Sequence, residues 1–480
     1  MFSASSTTIP SSRARTGSPR RRGIARLAAS VVASGLVAAG ALVGAGSAVA
    51  DQTPQQQGGA SAVLDGLKIY DGAVNHTGGK NEKLVAGLFE MTVDGGGKIK
   101  TYCIDFHNPT QSRAKYLETP WSQTSLGSNK NAGKIRWILE NSYPQVDDLA
   151  TLAAKAGTGS LTEKTAAAGT QVAIWRYSDG VDVEASDPQA EKLADWLESN
   201  AANQEEPQAS LALDPTAVSG KSGERLGPIT VRTNASQVTV TPPADAASGV
   251  KVTDKSGQPV TSAANGAELY FDVPAGTADG SASLSVQATT SVPVGRAFAG
   301  ETKSQTMILA GSSQSTVSAT ATATWAKKGP IPAVSAEKNC AKGGVDVTAS
   351  NEGDEAFTFE LAGEQHTIEA GKSETVTVPV GEDQAYDFTI TGPNGFSKTF
   401  KGVLDCKTGG SGAGGPETQT SGQPTPATTD SGSTGATGDL AATGGSSATP
   451  IIAGVAIVLV VVGGGAVFFL RKRKTQPSGH

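Results

Sequence analysis

Several kinds of side chain are scarce here. Aromatic residues make up 5% and charged residues 18% of the 480 positions, with only 3 Met, 3 Cys and 4 His. Small side chains bury little area each, so large helical cores are excluded. Many short strands separated by turn residues are expected instead. The 59 Gly residues reinforce that expectation. Basic charge is scarce in the body of the chain. Six Arg precede residue 27 and four basic residues form Arg471-Lys472-Arg473-Lys474, which leaves the 45 acidic residues facing only 29 of the 39 basic ones. An acidic body argues against nucleic acid or anionic lipid as a partner.

The aromatic residues that are present are concentrated. Four of the five Trp (121, 137, 175, 196) and five of the seven Tyr (70, 102, 116, 143, 177) lie between Tyr70 and Trp196. That window has the material for a dense core. The remainder relies on Val, Ile, Leu and a few Phe.

Both ends read as processing signals. Arg20-Arg21-Arg22 and Arg26 precede a charge-free run from Leu27 to Val43, and Ser47-Ala48-Val49-Ala50 follows. This is the pattern of a secretory signal peptide over 1–50, cut after Ala50. Near the other end, Pro450 to Leu470 carries no charge, is long enough to span a bilayer, and is followed by the basic cluster. Leu440-Ala441-Ala442-Thr443-Gly444 lies just before it. Motif, apolar span and basic tail in that order (440–474) resemble the sortase sorting signal of Gram-positive surface proteins. Ala in place of Pro at the second position resembles the variant of high-GC, actinobacterial species. The resemblance implies that sortase cuts after Thr443 and joins it to cell-wall peptidoglycan. Residues 408–439, rich in Gly, Ser, Thr and Pro, read as a flexible spacer.

Three cysteines in an exported chain leave one over. Cys340 and Cys406 bracket a segment of alternating strands, including Val345-Asp346-Val347, Val376-Thr377-Val378 and Phe388-Thr389-Ile390. A disulfide between them would staple one small β domain, 331–407. Cys103 then stands alone in the aromatic-rich region. It is open to four readings: an inert buried thiol, an intermolecular disulfide, a nucleophile, or a thiol consumed by another bond.

The residues around it narrow the choice. Leu84–Val93 and Lys98–Phe106 read as a hairpin turning at Asp94-Gly95-Gly96-Gly97. Ser160-Leu161-Thr162-Glu163 has the spacing of a capping box and predicts a helix from about Leu161 to Tyr177. On it, Ala168, Gln171 and Trp175 share one face, which places an amide on a packing surface. Tyr102-Cys103-Ile104-Asp105 and Thr170-Gln171-Val172-Ala173-Ile174-Trp175 together resemble the two signature motifs of thioester domains, the second in its Thr-Gln-x-Ala form. The resemblance covers about 60–203. It implies that the Cys103 sulfur attacks the Gln171 amide, ammonia leaves, and an internal thioester remains.

Such a bond is an electrophile that an amine can open once. Tyr102 and Trp175 would help to exclude water, and Thr170 belongs to the same motif. On a strand, Asp105 and His107 would share the face of Cys103, but His107 would lie roughly 13 Å away. Asp105 is the nearer candidate to assist.

The expected architecture is a mixed α/β thioester domain (58–206) followed by two β-sandwich, Ig-like stalk domains (207–330 and 331–407). Residues 207–330 carry no metal-ligand cluster, phosphate loop or Ser–His–Asp set, and no cofactor or metal is expected. The reading is a wall-anchored adhesin, not a turnover enzyme, that captures a protein Lys or a polyamine covalently. The alternatives are a cysteine-nucleophile enzyme of the envelope and a non-covalent surface binding protein.

Overall fold

A computed structural model describes residues 58–407, apart from residues 80 and 244–248. The expected cleavage at Ala50, the spacer, the motif Leu440 to Gly444 and the apolar run 450–470 lie outside the described residues. Among the described residues, no helix is long and apolar enough to cross a membrane.

The site is carried by a closed ring of six antiparallel strands. These are β1 (Ser61–Asn75), β2 (Glu82–Val93), β3 (Lys98–Cys103), β4 (Lys115–Thr119), β5 (Ala297–Gly300) and β6 (Met307–Ser312). The pairing runs β1-β2-β3-β6-β5-β4 and returns to β1, with Val183–Ala185 added on β1. The β2–β3 turn closes on a Val93 N–H to Gly97 O bond, with Gly96 and Gly97 both at positive φ, where glycine adopts the turn without Cβ strain.

Four helices come from the same stretch of sequence: α1 (Ala132–Asn141), α2 (Leu149–Ala156), α3 (Glu163–Ser178) and α4 (Pro188–Asn200). Helix α4 begins as its sequence suggests, with the Asp187 carboxylate accepting from Gln189 N and Ala190 N and Pro188 in the first turn. Helix α3 does not start at the expected box. Its N-cap is Thr162, whose hydroxyl accepts from Thr165 N, while the Thr165 hydroxyl accepts from Thr162 N. The reciprocal geometry is that of a capping box, with Thr rather than Glu as the returning partner. Residues Thr165 to Trp175 are buried all round, the mark of a central helix rather than a surface one. Gly169 allows α4 to approach, because a Cβ there would meet the Ala190 carbonyl at 2.4 Å.

The 207–330 segment does not form a separate body. Its strands first build a four-stranded and a five-stranded sheet, the latter centred on Gly280–Ser291 against Gln314–Ala326. There Val317, Ala319, Ala321, Ala323 and Trp325 are buried along one face. Between those two long strands the chain returns to the first domain and supplies β5 and β6. The expected boundary after residue 206 therefore cuts through the ring. Its physical reason is pairing at long range: β6 lies beside β3, some two hundred residues earlier in the chain. Trp121 Nε1 donating to Gly295 O (2.8 Å) and Tyr116 Oη donating to Gln305 O (2.9 Å) fix the returning hairpin.

The last domain runs from Pro332–Asn339 to Ser397–Val403 in one three-stranded and two two-stranded sheets around its own core of Val345, Val347, Phe357, Phe359 and Ile390. A disulfide joins Cys340 to Cys406 across it.

Candidate functional site

Cys103 is the last residue of β3, and the reason it meets Gln171 lies in the strand register. The β2–β3 ladder stops at the Phe89–Thr101 pair, while β3 continues opposite β6 with Cys103 facing Met307. The backbone N–H and C=O of Cys103 thus have no strand partner on the β2 side. The Gln171 amide takes that place. Cys103 N–H donates to Gln171 Oε1 (2.9 Å) and Gln171 Nε2 donates to Cys103 O (2.8 Å). Both side chains are fully buried. A buried amide needs its hydrogen bonds satisfied, and this pairing satisfies Gln171 while fixing its carbonyl carbon beside the cysteine.

Beyond Cys103 the strand ends and the backbone turns round the sulfur. Asp105 N donates to Sγ, and the thiol reaches Asp105 O, both at 3.2 Å. The alternation expected of a continuing strand is therefore lost. His107 is exposed and stacks edge-on to Phe106, with ring centroids 5.4 Å apart. Partial burial lowers the His107 pKa. No described contact brings it to the sulfur.

Tyr102 is buried and donates from Oη to Tyr143 O (2.8 Å). Thr170 back-bonds to Ala166 O (2.7 Å) within α3. Phe106 packs edge-on against Trp175, with centroids 5.1 Å apart. The Trp175 indole N–H is buried with no acceptor among the described residues, and it lies close enough to Cys103 to favour the thiolate.

Asp105 is 1% exposed. Its Oδ2 accepts from Asn108 Nδ2 (3.0 Å) and Thr306 N (3.4 Å), while Oδ1 has no hydrogen-bond partner among the described residues. Burial, and then the nearby Asp405, push its pKa well above the usual carboxylate range.

Sequence reasoning missed Asp179. It follows α3 directly, and its Oδ1 accepts from Phe106 N (2.8 Å), tying the loop after Cys103 to the helix that carries Gln171. Burial pushes its pKa up to about 7. An acid at a helix C-terminus opposes the macrodipole, and that is the signal by which it could have been found. Asp405, from the end of the last domain, also reaches this corner, where Thr306 Oγ1 donates to it (2.6 Å). Burial pushes Asp405 up to about 6. The Cys103 thiol is itself pushed well up, first by burial and then by Asp105 and Asp179.

This arrangement can form an acyl bond but is poorly suited to a resting thiolate. The groups that usually lower a thiol pKa are a neighbouring cation or a helix N-terminus; around Cys103 the charged neighbours are carboxyls. Among the described residues, one group of acids could hold a metal, Glu382, Asp383 and Asp405, and it lies at the edge of the last domain rather than at the Cys103–Gln171 pair.

Residues 100–203 match the family model of the thioester domain, and residues 332–403 match that of the bacterial phospholipase C C-terminal domain. No curated relative matches the chain. Among solved structures, the Bacillus anthracis TIE protein is 16% identical, covering 72% of this chain and 81% of its own, with a TM-score of 0.26. The thioester domain of the Enterococcus faecium TIE86 protein is 15% identical, covering 56% and 97%, with a TM-score of 0.27. The family match begins in β3 and ends just after α4, so it contains both Cys103 and Gln171. This chain therefore carries a region that matches the thioester domain family, set within a ring that other parts of the chain complete.

Proposed function

We propose that Cys103 and Gln171 form an internal thioester with which this protein captures an amine on its target, once per molecule. The observation that carries the reading is the double hydrogen bond between the Gln171 amide and the Cys103 backbone. Cys103 N–H already points at the oxygen on which negative charge grows when sulfur attacks, so it serves as an oxyanion donor. Gln171 Nε2, held by Cys103 O, is the leaving nitrogen. The thiol and amide become thioester and ammonia, the thiol proton leaving with the nitrogen. Confinement of the pair supplies the effective concentration that this exchange lacks in water. An incoming amine then displaces sulfur, giving an amide at Gln171 and a free thiol at Cys103. Phe106 and Trp175 cover the bond and slow hydrolysis.

The placement of His107, which stacks on Phe106 away from the sulfur, favours this reading over a cysteine enzyme with an assisting imidazole. The processing signals support a surface adhesin of an actinobacterial cell, anchored to peptidoglycan by sortase through Thr443, with a protein Lys or a polyamine as target.

Intact mass tests the core of the proposal. The wild-type chain should be lighter by one ammonia than its composition requires, and Cys103→Ala should restore the missing mass. Methylamine should add once, at Gln171. A wild-type mass without the deficit, together with a thiol that alkylates after unfolding, would refute the thioester.

A further inference from the structure

A second concave site lies away from Cys103, between the ring and the last domain. It is a cavity of about 290 Å³, near the lower end of the range for small-molecule pockets. Its apolar wall includes Leu117 and Ala299 from the ring and Ala336, Tyr386 and Phe400 from the last domain. Four charged residues line it: Glu118, Glu301, Lys338 and Lys401.

Three of these charges are already answered. Glu118 accepts from Arg296 Nε (2.9 Å), Glu301 faces Lys115 Nζ at 3.6 Å, and Lys401 Nζ meets Asp387 at 3.0 Å. Lys338, on the strand Pro332–Asn339, has no ion pair or side-chain hydrogen bond among the described residues. Asp405 acts on it electrostatically, but from beyond ion-pair distance, and the Asp405 carboxylate accepts from Thr306 instead. Burial lowers the Lys338 pKa, with Asp405 opposing that shift. A half-buried ammonium with no directly bonded partner among the described residues, and only the distant Asp405 to oppose its charge, is incompletely satisfied in a mostly apolar cavity.

We propose that this cavity binds a small amphiphilic carboxylate, its acid group on Lys338 and its apolar body against Tyr386 and Phe400. Charge complementarity selects a monoanion. The volume selects a short aliphatic or aromatic acid over a long acyl chain. The site is independent of the Cys103 chemistry and stands whether or not the thioester forms.

Calorimetric titration of the full chain with hexanoate, hexanol and hexylamine tests it. Hexanoate should bind saturably, hexanol more weakly, and hexylamine not at all. Lys338→Met keeps the aliphatic stem and should weaken hexanoate by at least about tenfold. Lys401→Met removes a cation that is already paired and should leave binding within about twofold. Ala336→Leu fills the cavity from a different position and should also abolish binding, which guards against a Lys338→Met variant that fails to fold. Each variant is checked by thermal melting. Unchanged hexanoate affinity in folded Lys338→Met, hexylamine binding as well as hexanoate, or no saturable hexanoate binding would each overturn the proposal. Laurate binding more tightly than hexanoate would overturn the size limit and assign the cavity to lipid acyl chains.

Discussion

Glu118 and Gln171 both bind distant parts of the chain at the ring, and both are buried, yet their surroundings follow opposite rules. Around Glu118 the polar groups are matched. Its carboxylate accepts from Ala60 N, Ser210 N, the Ser210 hydroxyl and Arg296 Nε, while Arg296 also reaches Glu206 and Pro207 O. Around Gln171 the amide is matched, but its neighbours are not. Asp105 Oδ1 and Trp175 Nε1, both beside Cys103, are buried without hydrogen-bond partners among the described residues. Unpaired buried polar groups destabilise a fold. A joint that only holds the fold together gains by being saturated. A site that must make and break bonds gains by keeping donors and acceptors in reserve. The difference separates a structural joint from the joint proposed to do chemistry, within a single ring.

The sharpest way to break this contrast is to change one side chain at each joint. Cys103→Ser should abolish methylamine uptake completely, and by losing the Cys103–Gln171 cross-link it should melt near the wild type already opened by methylamine, since the residue keeps nearly its volume. Methylamine still found at Gln171 in this variant would refute the chemical role. Arg296→Met should do the reverse. It strands the buried Glu118 charge and should cost about 3–5 kcal/mol of stability. Methylamine uptake per folded molecule should remain at one. Denaturant melts beside mass spectrometry read both effects, and a loss of uptake in folded Arg296→Met would show that the two joints are not separable.

A smaller effect tests the carboxyls around Cys103. Asp179 has a folded pKa of about 7 against an ordinary 3.8. The unfolded chain therefore loses this proton first as pH rises. The stabilisation linked to it is fully present below 3.8 and is lost as pH climbs through 7. Between pH 5 and pH 8 the wild type should lose about 2–3 kcal/mol through this group. Asp179→Asn keeps the acceptor for Phe106 N and should flatten that part of the slope, Asp105 and Asp405 supplying what remains. Urea denaturation at the two pH values measures it. An Asp179→Asn slope equal to that of the wild type would remove Asp179 from the buried acid set.

How much of this was readable from residues depends on the range of the interactions. Cys103 and Gln171 were legible because each sits in a short local motif. The start of α4 is a local matter, since the Asp187 carboxylate caps its own helix and Pro188 fits the first turn. The start of α3 was off by two residues because Ser160 and Thr162 both offer a hydroxyl three places before a possible partner, and only packing chooses between them. His107 was placed on the Cys103 face by assuming that the strand continues, whereas it ends at Cys103 once the backbone turns round the sulfur. The return of β5 and β6 was invisible. Ala297–Gly300 and Met307–Ser312 are apolar enough for any core, and nothing local in them names a partner two hundred residues away. Asp179 went unremarked, because sequence shows its type and not its burial.

The finest distinction concerns two tryptophans. Trp121 donates its indole N–H to Gly295 O at 2.8 Å, on the structural side of the ring. Trp175 has the same group buried without an acceptor, beside the sulfur. Replacing each by Phe removes the same donor from opposite contexts. Trp121→Phe strands the Gly295 carbonyl and should cost about 1–3 kcal/mol, with amine capture unchanged. Trp175→Phe removes a donor that makes no geometric hydrogen bond among the described residues but faces the sulfur. If the Trp175 N–H stabilises the sulfur as it leaves Gln171, capture should slow by about tenfold, equivalent to roughly 1.4 kcal/mol in the activation barrier. The stoichiometry should stay at one methylamine per molecule, because the bond still forms. Stopped-time mass spectrometry against methylamine concentration gives the rate. An unchanged rate would mean that the orphan donor serves packing alone, and the unpaired atoms at the Cys103 joint would then have to be explained without catalysis.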